Sequence, residues 1–512
     1  MTGTSKASTR KLATEIVRRL QAAGFSAFWV GGCVRDFLLG REPEDYDIAT
    51  SAVPGQIEAL FKHTVAVGRR FGVIVVVEGQ HQFQVATFRA EEDYRDGRRP
   101  EKVSFGDARA DALRRDFTVN GLFYDPIAGK LHDWVGGEAD LRAGVIRTIG
   151  VPEERFAEDH LRLLRAVRFA ARLGFGIEPQ TFAAIQRWAP KIKGISAERV
   201  RDELIKLFAL PPPVGQASSL SQSSSRLHQG LRLHRRADAG GTGPHPKENG
   251  DRLEACPTED QPPRPVNASG RELPSPAAHG LELLRASGLL EHVLPEVAAT
   301  IACEQSPDFH PEGSVFAHLV LMLRHLPPGA DPLLPWAVLL HDVAKPLTAS
   351  RDPATGSIHF YEHEKLGATM ATAILERLRF PRKQIESVAQ AVRYHMQFKD
   401  APQMRKATLR RLLLRPTFPL ELALHRLDCL GSHGRLDVYD FLVAAAEELK
   451  RQPQVRPPLL TGHDLIQLGL KPGPALGRLL AEIREKQLQD ELRTKAAAKR
   501  WVQEQLKSAT AL

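Results

Sequence analysis

From Pro211 to Gly280 the chain runs 70 residues without a Phe, Tyr or Trp, and it places 11 of its 36 prolines there. Such a stretch cannot bury enough apolar surface to offset the entropy of ordering it. It reads as a disordered insertion that divides the 512 residues into two foldable parts. A basic cluster, Arg232, Arg235 and Arg236, leaves an RNA-binding tail as the other reading. The rest is rich enough in apolar residues for two to four domains. No run approaches ~20 apolar residues, so a membrane-spanning helix is not expected. Four scattered cysteines (Cys33, Cys256, Cys303, Cys429) exclude a disulfide scaffold and point to a reducing, cytoplasmic setting. A net charge of +9 permits nucleic-acid binding without requiring it.

The two parts are patterned differently. Residues 1–150 alternate helix and strand. Leu12, Ile16, Val17 and Leu20 fall at helical spacing, which favours an integral first helix over a transit peptide. Strands are expected at Phe28 to Val30, Asp45 to Ile48, Val73 to Val77 and Phe83 to Phe88, with a helix at Val34 to Leu39. From Pro152 to Phe208 the period is helical, with Leu161, Leu164, Ala166, Val167 and Ala170 on one stripe. Helical patterning resumes at Leu281, broken by turns at Pro327 to Gly329 and Pro472 to Pro474.

Asp45 and Asp47 flank Tyr46 on an expected strand, where alternation sends both carboxylates to one face. Two carboxylates so placed suit Mg2+. Upstream, Gly31 and Gly32 close a strand and open a helix, letting backbone N–H groups approach phosphates. Arg35 follows one turn into that helix. These parts describe metal-assisted phosphoryl or nucleotidyl transfer.

The stretch VGGCVRDFLLGREPEDYDIAT resembles the signature of class II tRNA nucleotidyltransferases and bacterial poly(A) polymerases. Three more stretches match that family in order: RRDFTVNGLFYD, DWVGGEADL and EDHLRLLRAVRFAARLGF. The resemblance covers roughly residues 10–210. It implies an α+β polymerase-beta-like head with a small mixed sheet, then an all-α neck. It also implies that Arg115, Asp116 and Asn120 hold the nucleotide, and that Asp159 and Arg162 read the base. Three apart, these two would share a helix face. A carboxylate accepts from the amine of cytosine or adenine and rejects the keto oxygen of guanine or uracil. Arg165 and Arg168 would continue the stripe toward phosphates.

One position departs from the family. Its third carboxylate is expected on the strand FQVATFR, where this chain has Gln84. Either two aspartates suffice or a nearby acid such as Glu78 substitutes. The full-length stretch DYRDGRRPEKVSF, within Ala90 to Leu113, resembles the loop that members adding only C have shortened. GRRFGVIVV (Gly68 to Val76) is closer to the CCA-adding pattern than to the poly(A) polymerase pattern. CCA addition is the leading expectation; A-addition alone and poly(A) synthesis are the others.

In the second part, His318, the adjacent His341 and Asp342, His363, His395 and Asp428 resemble the ligand set of HD phosphohydrolases. The resemblance assigns His318, His341, Asp342 and Asp428 to one divalent transition metal, and His363 and His395 to a second. LLTGHDLIQLGLKPGPALGRLL looks like the tail of CCA-adding enzymes that carry such a domain. The expected domains are a head (1–150), a neck (151–210), the insertion (211–280), an HD-type helical body (281–450) and a helical tail (451–512). The expected partners are ATP, CTP and the tRNA 3′ end and acceptor arm. A different class of reading keeps the HD centre as the working hydrolase beside an inactive RNA-binding head.

Overall fold

The computed structural model describes residues 3–66, 68–90, 105–209, 275–306, 312–451, 458–489 and 491–510. The elements below belong to one unit, residues 1–209, 274–326 and 330–512. Of a second unit, residues 210–273 with 327–329, only Pro327–Gly329 is described, as a turn. Among the described residues no helix is long and apolar enough to cross a membrane. The disorder expected within 211–274 and the loop at 91–104 lie outside the described residues.

The head begins with α1 (Gly3–Ala22), β1 (Ala27–Val30), α2 (Gly32–Leu38), β2 (Asp47–Thr50), α3 (Pro54–Leu60) and β3 (Thr64–Val65). It continues through β4 (Val73–Glu78), β5 (His81–Thr87), α4 (Ala108–Leu113), β6 (Phe123–Asp125), β7 (Lys130–His132) and α5 (Gly137–Ala143). The seven strands lie in the order β3-β4-β5-β2-β1-β6-β7. Only the β2–β5 pair is parallel, so the sheet is mixed.

Alternation sorts the sheet into two faces. Trp29, Ile48, Ile74, Val76, Phe83 and Val85 are buried on one. α1 covers it with Ala13, Ile16, Val17 and Leu20, all fully buried, as the spacing of the last three required. Val30, Ala49, Phe88 and Phe123 lie on the other face, packed with Ala112 of α4. Register puts Asp47 beside Val30 on this second face.

β8 (Val145–Ile146) follows, then α6 (Pro152–Glu158), α7 (Leu161–Leu173), β9 (Gly176–Ile177), α8 (Pro179–Trp188) and α9 (Ala197–Phe208). The α7 stripe from Leu161 to Ala170 is buried as its periodicity predicts. α10 (Pro276–Ala286) packs on α7 and α9. Residues 276–280 are therefore helical, which corrects the boundary expected at 280. Proline at the first helical turn lacks only an N–H that would be orphaned anyway. Ala277, Ala278 and Gly280 are buried, and a Cβ on Gly280 would meet Leu207 at 2.6 Å.

The body is helical. Helices Val315–Arg324, Leu334–Leu340, His363–Arg377, Arg382–Tyr394 and Phe418–Gly431 surround a core anchored by Trp336. Its ring stacks edge-on against Phe208 of α9 and Phe380, at 6.0 and 4.8 Å between centroids. A separate apolar cluster of Leu459, Leu460, Leu465, Ile483, Leu492, Ala498 and Val502 holds the C-terminal helices together.

Candidate nucleotide site and candidate metal centre

The head site forms where β1 gives way to α2. Gly31 has φ +73°, a left-handed conformation that only glycine adopts freely, and a Cβ there would lie 3.0 Å from an Arg115 nitrogen. The guanidinium of Arg115 thus sits directly over the turn. Its Nε and a terminal nitrogen donate to Asp111 at 3.2 and 2.9 Å. Burial alone would raise the Asp111 carboxyl, but Arg115 and Arg114 and the Arg89 amide bring it below its ordinary range. Arg35 is buried and donates to Asn120 Oδ1 at 2.7 Å and to Asp36 at 2.9 Å.

Asp45 and Asp47 need a correction. β2 starts at Asp47, so Asp45 sits in the bend before the strand. The expected outcome survives because Tyr46 is buried against Trp29, 4.8 Å between rings, while both aspartates face solvent. Although Asp47 touches solvent, the protein packed around its carboxyl pushes its pKa up. Arg115 opposes that rise and Asp45 adds to it. Two carboxylates that repel each other, with a guanidinium acting on one of them, fit a divalent cation.

Gln84 is exposed on β5, one residue before the Ile48–Val85 pair. The parallel register therefore sets it alongside Asp47. Glu78 pairs with His81 three positions away and lies on the opposite face, where Arg19 of α1 holds it at 2.9 Å. Glu78 therefore does not stand in for a third carboxylate.

The neck differs from expectation in two respects. Asp159 does not share a helix face with Arg162. It is the extended residue between α6 and α7, with φ −149° and ψ 104°. Its Oδ1 accepts from the Leu161 amide at 3.0 Å and its Oδ2 from Arg199 at 2.8 Å. Arg162 instead pairs with Glu158 and donates to the Arg155 carbonyl at 2.9 Å. Arg165 grips Asp116 through two nitrogens, at 2.8 and 2.5 Å. Asn120 donates to the other Asp116 oxygen at 3.2 Å. Burial opposes ionisation of Asp116, but Arg165 and Asn120 hold its carboxyl low. Arg168 is buried on Glu203 at 2.5 Å rather than exposed to phosphates. A continuous polar chain, Arg35–Asn120–Asp116–Arg165, thus joins the glycine turn to α7.

Sequence reasoning missed Asp111, Glu158, Arg199 and Glu203. Asp111 and Glu158 stood three or four residues from an arginine on a helix, a readable signal. Arg199 and Glu203 lie 40 and 35 residues from their partners and gave none.

In the body the six residues fall into two groups, and Asp342 joins His363 and His395 rather than the expected set of His318, His341 and Asp428. His318, His341 and Asp428 form one group and Asp342, His363 and His395 another, each with ligand atoms within 4.8 Å. His341, His363 and His395 donate Nδ1–H to the carbonyls of Val338, Phe360 and Val392, at 2.8, 2.8 and 2.7 Å. That fixes the tautomer and turns each Nε2 inward as a ligand atom. Asp342 lies 3.1 Å from His341, 3.3 Å from His363 and 3.7 Å from His395. His341 Nε2 and Asp342 Oδ1 are buried without a well-formed hydrogen bond. Inward nitrogens around an under-satisfied carboxylate fit a metal centre. Burial, with the charge of His341, pushes His395 down to about 3. His318 lies between Glu312 and Asp428, at 2.8 and 3.0 Å, and these carboxylates raise it to about 10 against burial. Glu312, Lys345 and Gln305 are further neighbours that the sequence reading gave no role.

Three family models match. Residues 27–147 match the poly A polymerase head domain, residues 174–216 the probable RNA and SrmB-binding site of polymerase A, and residues 313–430 the HD domain. Over 197 residues it is 47% identical to the CCA-adding enzymes of Staphylococcus aureus strains MRSA252 and Mu3, covering 38% of this chain and 49% of each relative. It thus spans about half the length of the curated relatives it matches. In fold it resembles the Bacillus stearothermophilus CCA-adding enzyme solved with CTP: TM-score 0.65, 24% identity, 98% of both chains. A CCA-adding enzyme solved with ATP matches at TM-score 0.56, with 18% identity over 97% of this chain and 95% of that one.

Proposed function

We propose that the chain is a template-independent RNA nucleotidyltransferase that adds CCA, or its terminal A, to tRNA 3′ ends from CTP and ATP. The observation that carries this reading is that Asp47 pairs with Val30, the residue before the Gly31–Gly32 turn, and feels the charges of both Arg115 and Asp45. That site connects through Asp116 and Arg165 to the helix bearing Arg162. The names of the Staphylococcus relatives support it. In this reading the RNA 3′-hydroxyl attacks the α-phosphate, the bond to the β-phosphate breaks, and pyrophosphate leaves. Asp45 and Asp47 would hold Mg2+, which lowers the pKa of a hydroxyl and neutralises charge on the leaving group. Gln84 leaves these two aspartates as the site's own carboxylates.

The remaining roles belong to side chains. Arg35, Arg115 and the N–H groups opening α2 meet the triphosphate. Asp116 and Asn120 meet the ribose. Asp159 is acceptor-only while Arg199 and the Leu161 amide use part of its capacity, so lone pairs remain for an exocyclic amine. Arg162 has five N–H donors and commits one nitrogen to Glu158 and Arg155, leaving Nε and the second terminal nitrogen for the base. Cytosine and adenine satisfy this pair; guanine and uracil set acceptor against acceptor.

The HD centre, we further propose, binds one or two divalent transition metals on His318, His341, Asp342, His363, His395 and Asp428 and hydrolyses phosphate esters. Buried free thiols at Cys33, Cys303 and Cys429 support a cytoplasmic site of action. Gln84 favours a second reading, in which only the HD centre is active.

One assay separates these readings. Purified protein is given labelled ATP and CTP, singly and together, on tRNA transcripts ending before CCA and after CC. Addition of C, C and A that then stops is expected. A single A only on the CC-ending transcript means an A-adding enzyme, and a long A tail means a poly(A) polymerase. No incorporation overturns the reading and leaves the HD centre as the chemistry.

A further inference from the structure

Beside the HD ligands lie two buried polar side chains. Lys345 is 7% exposed and Gln305 3%. Lys345 follows Asp342 by three residues, and its Nζ stands 2.7 Å from Asp342 Oδ2 and 2.6 Å from Gln305 Oε1. Gln305 is held from the backbone, its N–H donating to the Gly313 carbonyl at 3.0 Å, just before the helix that bears His318. Phe360 packs 5.2 Å from Nζ and closes one side.

A lysine ammonium only donates, so the Gln305 oxygen must face it and the amide nitrogen must face away. That nitrogen, Nε2, is buried and has no hydrogen-bond partner among the described residues. Lysine has three N–H donors, and the contacts to Asp342 and Gln305 use two. Leaving a buried amide donor unpaired is destabilising, so the group is held ready for an acceptor. Two donor groups, one of them charged, are thus held next to Asp342, a carboxylate of the proposed metal centre.

We propose that Lys345 and Gln305 form an oxyanion subsite of the HD centre, which takes a non-bridging oxygen of a phosphate group. This rests on the reading of that centre as a metal site acting on phosphate esters. Lys345 supplies the charge and its third N–H; Gln305 supplies Nε2–H. Asp342 alone would repel an anion at this distance, so the phosphate binds once a metal has taken up the carboxylate's charge. Lysine and glutamine orient the group and neither exchanges a proton with it.

Gln305→Glu is the decisive variant. It keeps the shape and the oxygen facing Lys345 and replaces only the unpaired donor with an acceptor. Lys345→Met is the companion. Binding of inorganic phosphate to the full-length, manganese-loaded protein is measured by calorimetry, with metal content and melting temperature alongside. Hydrolysis of p-nitrophenyl phosphate and of bis(p-nitrophenyl) phosphate is followed separately, to tell a monoester from a diester substrate. Both variants are expected to weaken phosphate binding at least tenfold at unchanged metal content. Wild-type phosphate affinity in Gln305→Glu overturns the subsite, even if hydrolysis continues. So does a wild-type protein that loads metal and binds no phosphate. If phosphate binding is lost in the variants but wild type hydrolyses neither ester, the subsite stands and the hydrolase reading falls.

Discussion

The head and the HD centre handle their charges in opposite ways. In the head and neck the functional side chains are paired among themselves: Arg115 with Asp111, Arg165 with Asp116, Arg168 with Glu203, Asp159 with Arg199. Asp45 and Asp47 stay at the solvent edge. In the HD centre backbone carbonyls hold the histidines from behind, so the inward nitrogens and Asp342 crowd together. In the proposed reading, the first arrangement is a set of positioned groups with spare hydrogen-bonding capacity for a substrate that comes and goes. The second would be a fixed cage whose unmet interactions a bound cation would satisfy.

The sharpest way to break this contrast is to remove each site alone. Asp45→Ala or Asp47→Ala should lower nucleotide incorporation at least ~1000-fold, since several kcal/mol of metal-dependent stabilisation is lost. Metal bound at the HD centre should be unchanged by elemental analysis. Asp342→Asn should do the reverse: bound metal falls below a tenth of wild type, and incorporation stays within about twofold. Loss of incorporation in the second variant would mean that the two sites are coupled.

Next in size is the paired network itself. Asp116→Asn should cost about 1–3 kcal/mol, because it removes the charge of a buried carboxylate paired with the partly exposed Arg165. The sign with pH follows from the lowered carboxyl. Its contribution is fully present above the ordinary aspartate range and is lost as pH falls through the folded-state value. The gap between wild type and variant in urea midpoint should therefore be widest at pH 7 and close on acidification. A gap that widens in acid would refute the assignment. Deleting residues 211–270 should change incorporation less than about threefold; a larger loss would mean that the stretch binds RNA or positions the helices. The smallest effect concerns Cys33, which burial pushes up to about 12. Iodoacetamide at pH 8 should label it only after unfolding, although it lies beside the head site.

The sequence made much of this legible where chemistry and periodicity coincide. α1 was readable because an apolar stripe at helical spacing has few alternatives. The six HD residues were readable because their order resembles that of HD phosphohydrolases; no single histidine among them would have stood out. Asp45 was placed on a strand that starts two residues later, since alternation of exposed and buried side chains persists through an extended bend. Asp159 and Arg162 were read as a helical pair because spacing alone cannot register a break in backbone conformation. Arg199, Glu203 and Gln305 were illegible because what gives them meaning is a partner brought near only by folding.

The packing of α10 against α9 also has a consequence in time. Leu207 and Phe208 end α9, and the residues that cover them, Gly280 and Trp336, come at least 70 positions later in synthesis. At about 5–20 residues per second, the ribosome leaves that apolar end of the neck uncovered for roughly 4–14 s before α10 emerges. The head can close its own sheet in that interval, but the neck cannot. The growing chain therefore passes through a stage with a finished head and a sticky, unfinished neck, and the length of the intervening segment sets how long that stage lasts.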